Sequence, residues 1–366
     1  MAERKTERLM NLIFALLVSR QYLTKEQIRQ AIADYRDSSQ QAFERKFERD
    51  NGLHFSPDQI QVGCGAKQAL YNALQATVQD GDEVIIPTPA WVSYPEMVLL
   101  AGGQPVIVRC SAQAGFKLQA DQLERAITPR TKWLMLNSPS NPSGAVYSRQ
   151  ELEALEQVLL RHPHVWVMAD DVYEKIRYSD EPFATPAALS PYMAARTLTI
   201  NGVSKAYAMT GWRVGFAAGP LPLIKAMNLV QSQATSHTSS ISQAAAVAAL
   251  DGPMDFLPEF VEAFRRRRDK VVAALNAMPG IECDLPMGAF YVFPSCQGVL
   301  GLRDPSGQLI STDKDLCMYF LRSAGVAVVP GSAFELPGHF RVSYASSDQE
   351  LEEAMSRIAQ AIARLS

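Results

Sequence analysis

The chain is poor in the residues that would point to several common chemistries. It has five cysteines in 366 residues, at 64, 110, 283, 296 and 317. They are scattered, odd in number and lack CxxC spacing, which excludes a disulfide framework and a thiolate zinc site. The five histidines are equally dispersed; His162 and His164 bracket a proline in a loop with no acid at metal-ligand spacing, so no metal is expected. Long apolar runs are missing too. The longest near the start, 9–18, is too short to span a bilayer, and the acids among its preceding charges argue against a secretory leader. Net charge is only −3, so no membrane surface or nucleic acid is called for globally. What remains is an ordinary core-forming composition, 47% hydrophobic and 20% charged, expected in the cytoplasm.

From about residue 60 to 230, short β-branched runs at 83–86, 105–108, 133–136, 165–168, 197–200 and 213–217 alternate with amphipathic stretches at 68–78, 94–101 and 148–161. That alternation predicts an α/β fold with a mostly parallel sheet covered by helices on both faces. Ligands in such folds gather at the carboxyl ends of the strands. Beyond Pro220 three helices run almost continuously over 221–234, 239–250 and 255–277. A smaller α+β region follows, with strands at 289–293, 326–329 and 340–343 and helices at 313–323 and 348–365. The expected division is a helical segment 1–50, a large domain 51–250 and a small carboxyl-terminal domain 251–366. The basic block 265–268 reads as a solvated helix face.

The most informative stretch is Asn201-Gly-Val-Ser-Lys205-Ala-Tyr-Ala-Met-Thr-Gly-Trp-Arg213. A lysine in a small-residue turn after a strand can form an imine with an aldehyde cofactor, and the arginine eight residues on can hold that cofactor's phosphate. An ordinary surface lysine followed by core residues is the plainer alternative. Asp170 and Asp171 end a strand, where an acid can neutralise a cationic ring nitrogen, bind a metal or cap the next helix; Tyr173 can point at the same place. Asn141 lies in a Pro-rich turn after another strand. Gly65 and Ala66 open a helix whose backbone N–H groups can face an anion. Lys67 in that first turn opposes the helix dipole unless a phosphate or carboxylate lies close. Trp91 is either core or a ring stacked on a flat ligand. Arg341, inside an apolar strand, needs a partner if buried, and a substrate carboxylate matches it bidentately.

Together these residues resemble one family. The segments Trp91-Val-Ser-Tyr-Pro95, 137–144, Ala169-Asp-Asp-Val-Tyr173, 201–213, Gly288-Ala-Phe-Tyr291 and Arg341-Val-Ser-Tyr-Ala345 follow the order and spacing of class I, fold type I aminotransferases, nearest the aspartate and prephenate subgroup. The resemblance implies pyridoxal 5′-phosphate held by Lys205 as an aldimine, Lys205 then shuttling the substrate proton. It implies Asp170 on the pyridine nitrogen, Asn141 and Tyr173 on the phenolic oxygen, and Trp91 stacked on the ring. Arg213 with the amides of Gly65 and Ala66 would take the phosphate, and Arg341 the substrate's α-carboxylate. Lys67 would read the distal carboxylate of aspartate or glutamate. A homodimer is implied as well.

Ahead of Gly65 the chain departs from that pattern. Fewer residues precede the turn than in family members, and neither their glycine-bearing strand nor a tyrosine for the neighbouring subunit's phosphate is found. Residues 4–13, 23–29 and 42–50 instead resemble the amino-terminal helix-turn-helix part of regulators that carry a WYL domain. The segment 45–50 suits both resemblances, which implies a spliced or recombined chain. Two other functions follow as alternatives: a DNA-binding regulator with an aminotransferase-like sensor, or a catalytically impaired remnant.

Overall fold

The structure, a computed structural model, describes residues 39–366. Residues 4–13 and 23–29 of the regulator resemblance therefore lie outside the described residues. In chain order the main elements are α1 (Ser39–Asn51), β1 (Ile60–Gly63), α2 (Ala66–Thr77), β2 (Glu83–Thr88), α3 (Ser93–Leu100), β3 (Gln104–Arg109), α4 (Ala120–Ala126), β4 (Thr131–Asn137), α5 (Arg149–Leu159), β5 (Trp166–Asp170), β6 (Thr197–Gly202) and β7 (Gly215–Ala218). Then come α6 (Leu221–Ala234), α7 (Ser240–Asp251), α8 (Phe256–Asn276), β8 (Tyr291–Val292), α9 (Asp313–Ala324), β9 (Val329–Pro330), β10 (Phe340–Ser343) and α10 (Asp348–Ile362).

Seven strands form one sheet in the order β1-β7-β6-β5-β4-β2-β3. Every neighbouring pair is parallel except those of β7, which runs antiparallel to β1 and β6. The central strands are buried on both faces, so their side chains are apolar without alternation. On one face α2, α3 and α6 pack Leu70, Leu74, Met97 and Met227 against Ile86, Trp133, Met168 and Leu198. On the other, α5 covers Leu134, Leu136 and Val167 with Leu152, Leu155 and Leu159. Each such side chain contributes about 1.5–3 kcal/mol by leaving water. Ser148 and Glu151 close a capping box that fixes where α5 starts.

A three-stranded antiparallel sheet, β8-β10-β9, lies against α8, α9 and α10 and carries a second core of Val292, Phe320, Phe340 and Ile358. β10 is central in it, which places Arg341 in the middle of that sheet.

The strands expected at 289–293 and 326–329 form only as Tyr291–Val292 and Val329–Pro330, and two departures affect the large sheet. β1 was not legible, because Gln61 interrupts its apolar pattern and is nevertheless buried, held by Asn72 and Asn228. β7 starts at Gly215 and not at 213, since Arg213 takes a left-handed backbone (φ 53°) that ends the preceding turn. α1 includes residues 42–50 of the regulator resemblance. Its Phe43 and Phe47 are fully buried against Phe216, while Arg45 pairs with Asp251 and Arg49 with Asp50. The buried side of this helix is spent on the fold.

Candidate active site

The parallel strands end at a common edge, and the chain places its polar side chains there. β4 runs into Asn137 and the turn bearing Asn141; β5 ends on Asp170 and leads to Tyr173; β6 leads to Ser204 and Lys205. The segment after β2 supplies Trp91 and Tyr94, and the start of α2 supplies Ala66 and Lys67. With Thr210, Arg213, Tyr291 and Arg341 these residues enclose a cavity of about 380 Å³. Among the sequence-predicted residues, Ala66, Lys67, Trp91, Asn141, Asp170, Tyr173, Lys205, Arg213 and Arg341 all line it.

Gly65 is the one that does not. Its amide donates to the Gly63 carbonyl at 2.8 Å and so is not free for an anion. Its part is steric: at φ 85°, a Cβ would come within 2.4 Å of Arg213 Nη2. The missing side chain lets the guanidinium lie against the backbone. Gly215 is tighter still, with a would-be Cβ 2.1 Å from the Ala66 nitrogen. Among the described residues Arg213 gives hydrogen bonds only to the Cys64 and Thr210 carbonyls and pairs with no acid.

Asp170 is buried at the cavity floor. Its Oδ2 accepts a 2.7 Å hydrogen bond from the Tyr94 hydroxyl, whereas Oδ1 is buried with no partner. Burial pushes its carboxyl above the ordinary aspartate value, and Tyr94, the Val172 amide and Lys205 pull it back. A buried acceptor left open calls for a donor that none of the described residues supplies. Lys205 makes no ion pair or hydrogen bond with any described residue; its amine lies 5.1 Å from the Tyr173 ring centre and 5.4 Å from that of Phe290. Burial holds its ammonium below the ordinary lysine value, Asp170 offsets this, and Arg341 and Arg213 add to it. A lysine so placed deprotonates more readily, as a nucleophile or proton carrier must.

The far wall belongs to the small sheet. Arg341 Nη1 donates to Asn141 Oδ1 at 2.8 Å, its guanidinium packs over Tyr291 and Phe334, and its Nε is buried without a partner. Asn141 is itself fixed, its amide donating to Asn137 Oδ1, while Asn137 Nδ2 holds the Asp170 carbonyl. The Tyr173 hydroxyl lies 3.0 Å from that of Tyr291, and burial raises its pKa well above the ordinary tyrosine value. At the mouth, Lys67 is exposed and rests its ammonium 4.7 Å from the Trp91 ring centre.

Sequence reasoning gave no role to Tyr94, Ser204 or Thr210. Tyr94 stands three residues after Trp91 and Ser204 adjoins Lys205, which is the only signal that could have found them. Among the described residues no group of three potential metal ligands occurs, and no helix is long and apolar enough to cross a membrane. All five cysteines are free.

Comparison with known proteins agrees with this geometry. The family model described as aminotransferase class I and II matches residues 18–358. The aspartate aminotransferase of Rhizobium meliloti (strain 1021) is 60% identical over 325 residues, covering 89% of this chain and 79% of that protein. The aspartate/prephenate aminotransferase of Cereibacter sphaeroides is 56% identical over 321 residues, 88% of this chain and 80% of the other. Among solved structures, the Rhizobium meliloti aspartate aminotransferase superposes with a TM-score of 0.88 at 59% identity, over 90% of this chain and 82% of that one. The Thermus thermophilus aspartate aminotransferase with maleate gives 0.81 at 39% identity, over 97% and 88%.

Proposed function

The chain belongs to the class I and II aminotransferases and is a pyridoxal-phosphate-dependent transferase; we propose that it moves the amino group between aspartate or glutamate and a 2-oxo acid. The observation that carries this is one cavity holding an unpaired lysine amine, a buried carboxylate with one open oxygen, and a guanidinium with an unpartnered Nε.

The donor set fits pyridoxal phosphate. Asp170 Oδ1 suits a protonated ring nitrogen, and Arg213, the Ala66 amide, Ser204 and Thr210 suit the phosphate at the amino terminus of α2. Bound there, the cofactor supplies an electron sink and an amino-group carrier. The chain's own residues do the rest. Trp91 flanks the ring, Asn141 and Tyr173 hold the phenolic oxygen, and Arg341 clamps the substrate's α-carboxylate. Lys205 Nζ, kept poor at holding a proton by burial, takes the Cα proton and returns it. Tyr94, by occupying Asp170 Oδ2, keeps Oδ1 aimed inward. Lys67 gives the dicarboxylic preference, consistent with relatives named for aspartate.

A homodimer in the cytoplasm completes the reading, with division into a large domain 51–250 and a small domain 251–366. Leu99, Leu100, Leu229 and Ile241 leave α3, α6 and α7 with apolar side chains at least half exposed, surface that a second copy would cover. The test is spectroscopic. Added pyridoxal phosphate should give a near-visible band that aspartate converts to the amine form of the cofactor. A stable band untouched by aspartate, glutamate or any 2-oxo acid would refute the transferase reading.

A further inference from the structure

Next to Tyr173 in the chain, and outside the cavity lining, lies a buried charge cluster that the reaction does not use. Lys46 Nζ of α1 sits 2.6 Å from Glu174 Oε1, and the two side chains are only 3% and 4% exposed. Asn51 closes the triangle, accepting from Lys46 at 3.0 Å and donating to Glu174 Oε2 at 2.9 Å. One residue on, Lys175 pairs with Asp50 at 2.8 Å, an oxygen it shares with Arg49. Two charges removed from water gain little net stability from each other, so such a pair fixes geometry more than it strengthens the fold.

The geometry it fixes is a turn. The Asp171 amide bonds the Ile200 carbonyl and the Asp171 carbonyl accepts from Asn201, which pins the turn at its start. The Glu174 amide then returns to the Asp171 carbonyl and Ile176 to Tyr173, a tight reversal with Tyr173 inside it. α1 is in turn anchored by Phe43 and Phe47 on Phe216 and by Arg49 on the Leu250 carbonyl. Glu174 and Lys175 are held to α1, and Tyr173 between them and Asp170 faces the cavity that Tyr291, Arg341, Asp170 and Lys205 also line.

We propose that Lys46 is a positioning residue for the cofactor: by holding Glu174 it aims the Tyr173 hydroxyl at the phenolic oxygen. This rests on the pyridoxal-phosphate reading of the cavity. A hydroxyl donating to a phenolate weakens the anion's hold on a neighbouring proton, so losing it raises the pH midpoint of the bound cofactor's near-visible band.

The experiment is a set of pH titrations of that band on the loaded full chain. Tyr173→Phe should raise the midpoint by about one unit, the equivalent of one hydrogen bond to a charged acceptor. Lys46→Met combined with Glu174→Leu removes both members of the pair together, so neither is left buried without the other; buried Asp171 loses the attraction of Lys46 and the repulsion of Glu174 at once. This paired variant should raise the midpoint in the same direction, and adding Tyr173→Phe to it should move the midpoint no further than Tyr173→Phe alone. Asn51→Ala, which keeps both charges, should give a smaller shift of the same sign, and Lys46→Arg should restore the wild-type value. A wild-type midpoint in the paired variant, or additive shifts in the triple one, overturns the proposal. A wild-type chain with no pH-dependent band sinks the cofactor reading and this proposal together, whereas a normal wild-type band with unmoved variants sinks only the positioning.

Discussion

Replacing Tyr94 by phenylalanine isolates one atom of the site. The ring stays, with its edge-to-face contact to Trp91 at 5.5 Å between centres, and only the hydroxyl that donates to Asp170 Oδ2 is lost. Asp170 would then be buried with neither oxygen held by a side chain. A hydrogen bond to a charged group contributes about 1.5–3 kcal/mol, which is roughly a 10- to 100-fold change in an equilibrium constant. That loss should appear in the dissociation constant of pyridoxal phosphate, read by absorbance titration. The pH dependence should move as well. Burial raises the Asp170 carboxyl and Tyr94 is the largest influence lowering it, so without the hydroxyl the carboxyl rises further. The ionised form is then lost sooner as pH falls, and the acid limb of cofactor affinity shifts to higher pH. Wild-type affinity together with an unmoved acid limb in Tyr94→Phe would refute the argument that Tyr94 governs Asp170.

Three further outcomes follow from the same geometry. Lys205→Ala should bind pyridoxal phosphate without the near-visible band, and a retained band, seen in the same spectrum, would remove Lys205 from the chemistry. Lys67→Ala should raise KM for aspartate by about tenfold, the scale of one charged hydrogen bond, and leave alanine unchanged in steady-state assays with both substrates. Gly215→Ala should cost about 1–3 kcal/mol of overpacking strain, because its Cβ would strike the Gly65-Ala66 backbone. Gly211→Ala, where nothing lies within 4 Å, should leave the denaturant midpoint near wild type.

Much of the site was legible because parallel strands deliver their carboxyl ends to one place. Asn141, Asp170 and Lys205 each follow a recognisable apolar run, so their convergence followed once the sheet was inferred. Arg341 was legible for a different reason: a guanidinium inside an apolar strand demands a partner. Two of the misses, Gln61 and the Lys46–Glu174 pair, share a physical cause, which is polar groups satisfied by distant ones. Gln61 hid β1 because the amides that make its burial tolerable come from α2 and α6, far along the chain. Gly65 read as an anion-binding amide, but its N–H turns back on Gly63, which local sequence does not encode. Lys46 and Glu174 look like ordinary charges on exposed faces, and only the packing of α1 against β1 and β7 buries them together.

The ammonium of Lys67 has a resting place, the indole face of Trp91, when no acid is near. A cation given an aromatic cushion is stabilised by about 0.5–1 kcal/mol at an exposed position. Swapping that cushion for a substrate's second carboxylate is therefore an exchange between two occupied states. A guest lacking that group leaves the lysine parked on the indole and meets no stranded charge. On the roles proposed for Lys67 and Trp91, such a pocket ranks its guests by degree rather than rejecting those without a second carboxylate.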